Sequence, residues 1–305
     1  METDLTDEER PQPPTNELSL NPSTANLGNV QAQYQLGRIY EYGACRVEPN
    51  YSKAFEEYQQ AATQGHSDSQ FKLGCMYMNG KGIEQNSLKA VEWYELAATQ
   101  GHEEAQFNLG LIFEKGGEGI EQHEFKAFEW YRQAAHQGNA RAQCNLGQMY
   151  EHGKGTLPND TKAFEYYLQA ATQGDVISQF NLAYMYENGK GVEQNYSKAF
   201  EWYEKAANQG DMISQFNLGC MYENGEGVVQ DNSKAFAWYE QAANQGHAEA
   251  QYSVGWMYEN GKGVEKDYSK AIEWYQQSAN QGDADAQSEL FRLFTTLHGT
   301  KRMRE

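Results

Sequence analysis

Long apolar runs are missing from this chain. No stretch approaches the about 18 consecutive apolar residues that a membrane-spanning helix needs, and the mean hydropathy is −0.87. The opening residues METDLTDEERPQPPTNELSLNPSTANL have neither a basic n-region nor an apolar h-region, so no signal peptide is predicted. A cytoplasmic location without membrane insertion is expected. Positive charge is also scarce, 24 Lys and Arg against 43 Asp and Glu, for a formal charge of −19. That balance argues against nucleic acid as a partner, because each phosphate contact needs a cation to release counterions, and it favours a basic partner.

Cysteine is limited to Cys45, Cys75, Cys144 and Cys220, without metal-ligand spacing or a regular disulfide spacing. All four are read as reduced thiols. Four of the six prolines fall within residues 1–27, which read as a disordered acidic leader, and residues 299–305 form a short basic tail containing Lys301, Arg302 and Arg304. No acid/base pair, nucleophile arrangement or ligand cluster is visible, so no catalytic residue, cofactor or metal is predicted.

What the chain has instead is repetition. DVISQFNLAYMYENGKGVEQNYSKAFEWYEKAANQG (Asp175 to Gly210) is followed at once by DMISQFNLGCMYENGEGVVQDNSKAFAWYEQAANQG (Asp211 to Gly246). Closing glycines at Gly65, Gly101, Gly138, Gly174, Gly210, Gly246 and Gly282 mark copies at 29–65, 66–101, 102–138, 139–174, 175–210, 211–246 and 247–282, with a partial copy at 283–298. The extra residue in the 102–138 copy falls at Gly116-Gly117. A fixed period of this size means stacked supersecondary units in place of one globular centre.

Each copy carries two segments of helical periodicity, such as Ser178 to Asn188 and Ser197 to Asn208. Leu182, Met185 and Tyr186 share one face of the first, and Ala199, Tyr203 and Ala206 one face of the second. Asp175 and Asp211 stand at N-cap positions, and Gly189 and Gly210 where a left-handed residue ends a helix. His66, His102 and His247 share the repeat-start position of those aspartates and read as capping residues. Gly189-Lys190-Gly191 follows a helix, not a strand, so it is a turn and not a phosphate loop. A glutamine recurs in every copy, at Gln33, Gln70, Gln106, Gln143, Gln179, Gln215, Gln251 and Gln287, and is read as a structural bridge to a loop or neighbouring hairpin.

The pattern AQFNLG-x-x-(Y/F)-E-x-G, followed by G-(V/I)-E-Q-(N/D)-x-x-KAFEWY-x-x-AA-x-QG, resembles the Sel-one-like repeat, a relative of the tetratricopeptide repeat with a longer internal loop. The resemblance covers about 29–298. It implies an all-α, right-handed superhelical solenoid of helix hairpins, with the first helices lining the concave face, used as an adaptor or scaffold for other proteins. The paired cysteines of the family's secreted branch are absent.

On that geometry the first helices carry three columns. The first runs Tyr34, Phe71, Phe107, Cys144, Phe180, Phe216 and Tyr252; the second includes Cys75, Tyr184, Cys220 and Trp256; the third is Glu41, Met78, Glu114, Glu151, Glu187, Glu223 and Glu259. The aromatic column either packs between adjacent helices or touches a ligand. Asn108, Asn145, Asn181 and Asn217 either bind a peptide backbone or reflect an Asn/Gln bias. The glutamates sit in last helical turns, where the macrodipole disfavours an anion by about 0.3–1 kcal/mol. They serve either as surface ion pairs to loop lysines such as Lys154, Lys190 or Lys262, or as an acidic rail for a basic segment. On the rail account, replacing Glu187 and Glu223 by lysine is expected to weaken partner binding and to leave stability unchanged or slightly raised.

The candidate partner-binding residues are therefore Phe71, Phe107, Phe180, Phe216, Tyr252, Tyr184, Trp256, Asn181, Asn217, Glu151, Glu187, Glu223 and Glu259. The expected function is non-enzymatic binding of a protein segment. The alternatives are a module for a small molecule or glycan, or a regulatory subunit of an enzyme complex. Nothing in the pattern sets an oligomeric state.

Overall fold

The computed structural model describes residues 29–43 and 47–302, with side chains through Thr295. The predicted leader 1–27, Cys45, the side chains of His298, Lys301 and Arg302, and residues 303–305 lie outside the described residues.

The described residues form α1 (Val30–Tyr42), α2 (Tyr51–Thr63), α3 (Ser67–Asn79), α4 (Ser87–Thr99), α5 (Glu103–Lys115), α6 (Glu124–His136), α7 (Ala140–His152) and α8 (Asp160–Thr172). These are followed by α9 (Val176–Asn188), α10 (Tyr196–Asn208), α11 (Met212–Asn224), α12 (Asn232–Asn244), α13 (Ala248–Asn260), α14 (Tyr268–Asn280) and α15 (Ala284–Arg302). The all-α hairpin-repeat class is thus borne out. The chain divides into two compact units, one running to Ala142 and including Lys154–Thr156, the other comprising Gln143–Gly153 and everything from Leu157. In the first unit α1/α2, α3/α4 and α5/α6 are hairpins; in the second, α9/α10, α11/α12 and α13/α14 are, with α15 against α14.

The helices begin one or two residues before the apolar period does, because the capping residue, not the first core residue, sets the start. The Asp175 carboxylate accepts from the Ser178 N–H at 2.7 Å. The Nδ1 atoms of His66, His102 and His247 accept from N–H groups three residues on, each at 3.2 Å. Each such cap contributes about 1 kcal/mol. Gly189 ends α9 at φ 67°, as predicted. The second glycine of that turn has a different reason: a Cβ on Gly191 would lie 2.3 Å from the Asp160 carbonyl, so the loop presses against the preceding repeat's second helix. The turn reading of these glycines holds. The extra residue at Gly116-Gly117 is absorbed by an isolated bridge between Gly117 and Ile120.

α15 runs to Arg302, well beyond the 13 residues of each preceding helix. Leu297 stands there in place of the terminating glycine found at Gly189, Gly225 and Gly261, so no left-handed residue stops it.

Each hairpin closes on a buried tyrosine of its second helix. Tyr58, Tyr131, Tyr167, Tyr203, Tyr239 and Tyr275 are the largest fully or nearly fully buried side chains. The first helix approaches closely through a small residue; a Cβ on Gly219 would meet the Tyr239 ring at 2.4 Å. The recurrent glutamine does what was expected of it. Gln215 Nε2 donates to the Ala207 carbonyl of the preceding repeat at 3.2 Å, and its Oε1 accepts from Gln245 Nε2 of its own second helix at 2.8 Å. Gln70, Gln106, Gln179 and Gln251 do the same. A buried amide thereby satisfies the last-turn carbonyl of one hairpin and locks the next.

Candidate functional site

The three columns carried by the first helices have different environments. The aromatic one is largely packing. Phe71, Phe180, Phe216 and Tyr252 are half-buried and Phe107 is buried, each against its hairpin's tyrosine at centroid distances of 5.5–5.9 Å. Where the next repeat starts with histidine, the imidazole stacks on the ring: His102 on Phe71 at 4.5 Å and His247 on Phe216 at 4.6 Å. Arg141 takes that place over Phe107, at 4.4 Å. Cys144 fills the aromatic position in α7, and burial pushes its thiol up to about 12, so it is an inert core group.

The asparagines also have a local role. Asn217 and Asn108 are half-buried near the hydroxyls of Tyr203 and Tyr94 of the preceding repeats. Asn181 is half-buried at the equivalent place on α9.

The glutamates are explained by a partner that charge patterning does not reveal. The buried hairpin tyrosine donates its hydroxyl to the carboxylate in every repeat that has one: Tyr58 to Glu41 and Tyr131 to Glu114 at 2.6 Å, Tyr203 to Glu187 at 2.7 Å. Tyr167 to Glu151 and Tyr239 to Glu223 are 2.8 Å, and Tyr275 to Glu259 is 3.0 Å. Burial, reinforced by the neighbouring carboxylate and, at Tyr239, first by the Cys220 thiol, pushes the phenols of Tyr58, Tyr167, Tyr203, Tyr239 and Tyr275 far above their ordinary range, which keeps them as donors. The dipole penalty is offset because the last-turn carbonyls are not bare. Gln194 Nε2 donates to the Glu187 carbonyl and Gln230 Nε2 to the Glu223 carbonyl, both at 2.7 Å.

This corrects the expectation that lysine would suit these positions. A lysine would leave a buried hydroxyl without its acceptor, at a cost of about 1–3 kcal/mol, which exceeds any gain from the dipole.

The second carboxylate oxygen is what differs from repeat to repeat. Lys72 reaches Glu41 at 3.2 Å, Lys190 reaches Glu151 at 2.7 Å, and Arg292 holds Glu259. The loop-lysine pairing is therefore real for Lys190. Lys262 lies instead over the Trp256 ring, 4.8 Å from its centroid. Burial works to raise the Glu151 carboxyl, but hydrogen bonds from Lys190 and Tyr167 outweigh it and hold it below the ordinary carboxylate value. No described cation reaches Glu187 or Glu223.

Three of the predicted residues meet in one place. Glu223 of α11 and Tyr252 and Trp256 of α13, with Ser253 and Met257, line an open cleft of about 190 Å³. Tyr184 is 44% exposed on α9. Phe71 and Phe107 belong to the first unit and serve packing. Sequence reasoning missed Ser253, Met257 and the hydrogen-bonding role of the hairpin tyrosines. The last could have been found, since a tyrosine at the end of the KAFEWY segment recurs as steadily as the glutamate does.

Among the described residues no group of three or more His, Cys, Asp or Glu side chains could hold a metal ion. No helix among them is long and apolar enough to cross a membrane.

Among curated proteins none matches this chain. Solved structures do. A protective antigen present in uropathogenic Escherichia coli strains, displaying an SLR fold, is similar over 92% of this chain with 37% identity and a TM-score of 0.86. This chain spans only 60% of that one. A Sel1 repeat protein from Oxalobacter formigenes is similar over 87% of this chain and 76% of its own, with 34% identity and a TM-score of 0.69. The family model of the Sel1 repeat matches residues 30–66, 67–102, 103–139, 140–175, 176–211, 213–247 and 248–283. With its hairpins, turn glycines and glutamine bridges all accounted for by that repeat, the chain belongs to the Sel1 repeat family.

Proposed function

We propose that this chain is a non-enzymatic, cytoplasmic scaffold or adaptor that holds a segment of another protein on the face carried by the first helices of its second unit. That face is the concave one by resemblance to the family. The observation that carries this reading is the row of half-buried rings and carboxylates along α9, α11 and α13: Tyr184 exposed, Phe180 and Phe216 partly so, and Glu223, Tyr252 and Trp256 opening into a cleft. Rings held by stacking on their own hairpins lose little freedom on binding, and a row of them offers apolar area beside fixed acceptors. Glu187 and Glu223, which no described cation reaches, give the face its sign, matching a basic segment, with Glu151 and Glu259 already paired to Lys190 and Arg292 and Asn181 and Asn217 beside them as amide donors. No metal or cofactor enters this reading.

A photo-crosslinking amino acid placed at Tyr184 or Trp256, and in separate variants at Glu201 or Leu96 on second helices, tests it in native lysate. Capture of one partner from the first-helix positions only is the expected result. Capture from the second-helix positions only would sink the proposal.

A further inference from the structure

We infer that the cleft between α11 and α13 is a socket for one arginine side chain of the protein partner. The inference rests on the proposed partner-binding role of this face and names the group recognised there.

The other glutamates of this column set the pattern. Each carboxylate spends one oxygen on its hairpin tyrosine, leaving the other for a cation. At Glu41 that cation is Lys72 from the next first helix; at Glu151 it is Lys190 from the next turn; at Glu259 it is Arg292 of α15. The cation arrives from three different positions of the following repeat. Half of the six carboxylates thus take a cation from within the chain, each by a different route, and no described cation reaches Glu187 or Glu223.

Glu223 shares the anchored half of this arrangement, with Oε2 held by Tyr239 at 2.8 Å, but no described cation reaches it. Each route used elsewhere is closed at this rung. Ser253 stands where Lys72 would be, Trp256 stands where Arg292 is, and Lys262, the counterpart of Lys190, has turned to the indole. In place of an internal cation there is an open cleft of about 190 Å³ whose walls are Glu223, Tyr252, Ser253, Trp256 and Met257.

Those walls favour guanidinium over ammonium. A guanidinium is planar, weakly hydrated and able to lie on an aromatic face while its fork meets a carboxylate edge; an ammonium is a compact and strongly hydrated point charge. The chain supplies its own precedent one rung on, where Arg292, one repeat after Trp256, meets Glu259. The Tyr252 ring, packed on Tyr275 at 5.5 Å, forms a fixed side wall, and Ser253 offers a hydroxyl to a further guanidinium N–H.

The test follows the Trp256 indole N–H by nuclear magnetic resonance as acetyl-arginine methylamide is added to the full chain. Parallel titrations use the lysine and citrulline analogues, the latter being nearly isosteric and uncharged. Saturable movement with arginine, at a dissociation constant of the order of 1 mM, is expected, with citrulline silent and lysine at least fivefold weaker. Glu223→Gln, which keeps an oxygen for Tyr239, should weaken arginine binding at least fivefold with its melting curve preserved. Equal response to citrulline, equal response to lysine, or no saturable response in the wild-type chain would each overturn the inference, and none depends on a variant folding. Failure here with partner capture intact at Tyr184 removes the socket alone. Arginine binding without any captured partner removes the scaffold reading alone.

Discussion

The α3/α4 and α11/α12 hairpins are built on the same frame and differ at one acceptor. In α11/α12, Tyr239 donates to the Glu223 carboxylate at 2.8 Å and lies 3.3 Å from Cys220 Sγ. In α3/α4 the glutamate is replaced by Met78, and the acceptor of the Tyr94 hydroxyl is the Cys75 thiol, at 3.4 Å. Both tyrosines are buried and both hairpins close. The carboxylate is thus not required for the fold; it exchanges a weak neutral acceptor for a charged one and leaves one oxygen on the surface. A thiol ends the interaction inside the hairpin, while a carboxylate passes it outward to whatever cation comes next. That outward half distinguishes a rung that can bind from one that only packs.

The largest expected effects come from cutting this link at its donor. Tyr203→Ala removes ring and hydroxyl together and should cost about 3–5 kcal/mol. Tyr203→Phe removes only the hydroxyl from a charged acceptor and should cost about 1.5–3 kcal/mol, whereas Tyr94→Phe, losing a thiol contact, should cost less than about 1 kcal/mol. Urea unfolding of the three variants checks the order. Equal losses for the two phenylalanine variants would mean that thiol and carboxylate are equivalent acceptors, and the contrast between the hairpins would collapse.

Substitution at the acceptor comes next. Glu187→Lys should destabilise by about 1–3 kcal/mol because the Tyr203 hydroxyl loses its acceptor, while Glu187→Gln, which retains one, should stay within about 1 kcal/mol of wild type. Melting curves decide it. A lysine variant as stable as wild type would restore the helix dipole as the governing term at these positions.

Removing the outward cation should matter less. The Lys190–Glu151 pair is partly exposed, with 34% of the lysine and 14% of the glutamate side chain accessible, so Lys190→Met should cost about 0.2–1 kcal/mol. Its clearer readout is titration. The folded Glu151 carboxyl lies below its ordinary value, so its contribution to stability is present above the unfolded value near 4.5 and is lost as pH falls through the folded one. In Lys190→Met the Glu151 carboxyl should titrate higher, as seen by side-chain carboxyl resonances. An unmoved titration would show that Tyr167 alone sets it.

The fold was legible because every element of the repeat is punctuated locally. Caps at Asp175 and Asp211, a left-handed glycine at Gly189 and the period of Leu182, Met185 and Tyr186 are short-range signals, and each was found in place. The glutamine bridge could be anticipated because a buried amide needs partners. The candidate site was legible only in part. Columns put Glu223, Tyr252 and Trp256 on one face, and they line one cleft, yet the reason for the glutamates lay on the other helix of the hairpin. Charge patterning looks for opposite charges, and a buried neutral phenol is invisible to it. Whether a lysine turns to a carboxylate, as Lys190 does, or to an indole, as Lys262 does, depends on a neighbouring side chain, Trp256, that the repeat pattern leaves variable.

The smallest effect expected concerns the two kinds of repeat start. Asp175 and Asp211 cap with a carboxylate, whereas His102 and His247 cap with a neutral imidazole whose Nδ1 must stay unprotonated to accept. Burial lowers the affinity of both imidazoles for a proton, against opposition from Asp68 at His102 and Glu249 at His247. A histidine depressed in the folded state binds its proton more readily when unfolded. Its contribution is therefore whole above the unfolded value near 6.5 and falls away as pH drops from there toward the folded value. Each cap can contribute at most about 1 kcal/mol to this slope. His102→Asp with His247→Asp should flatten the fall in melting temperature between about pH 6.5 and 5.5, where aspartate is still ionised. The double variant should also lose some stability at neutral pH, since the stacking of His102 on Phe71 and His247 on Phe216 goes with the rings. An unchanged slope in the double variant would mean that protonated imidazole is tolerated at these caps and that the acid sensitivity of the array lies in its carboxylates.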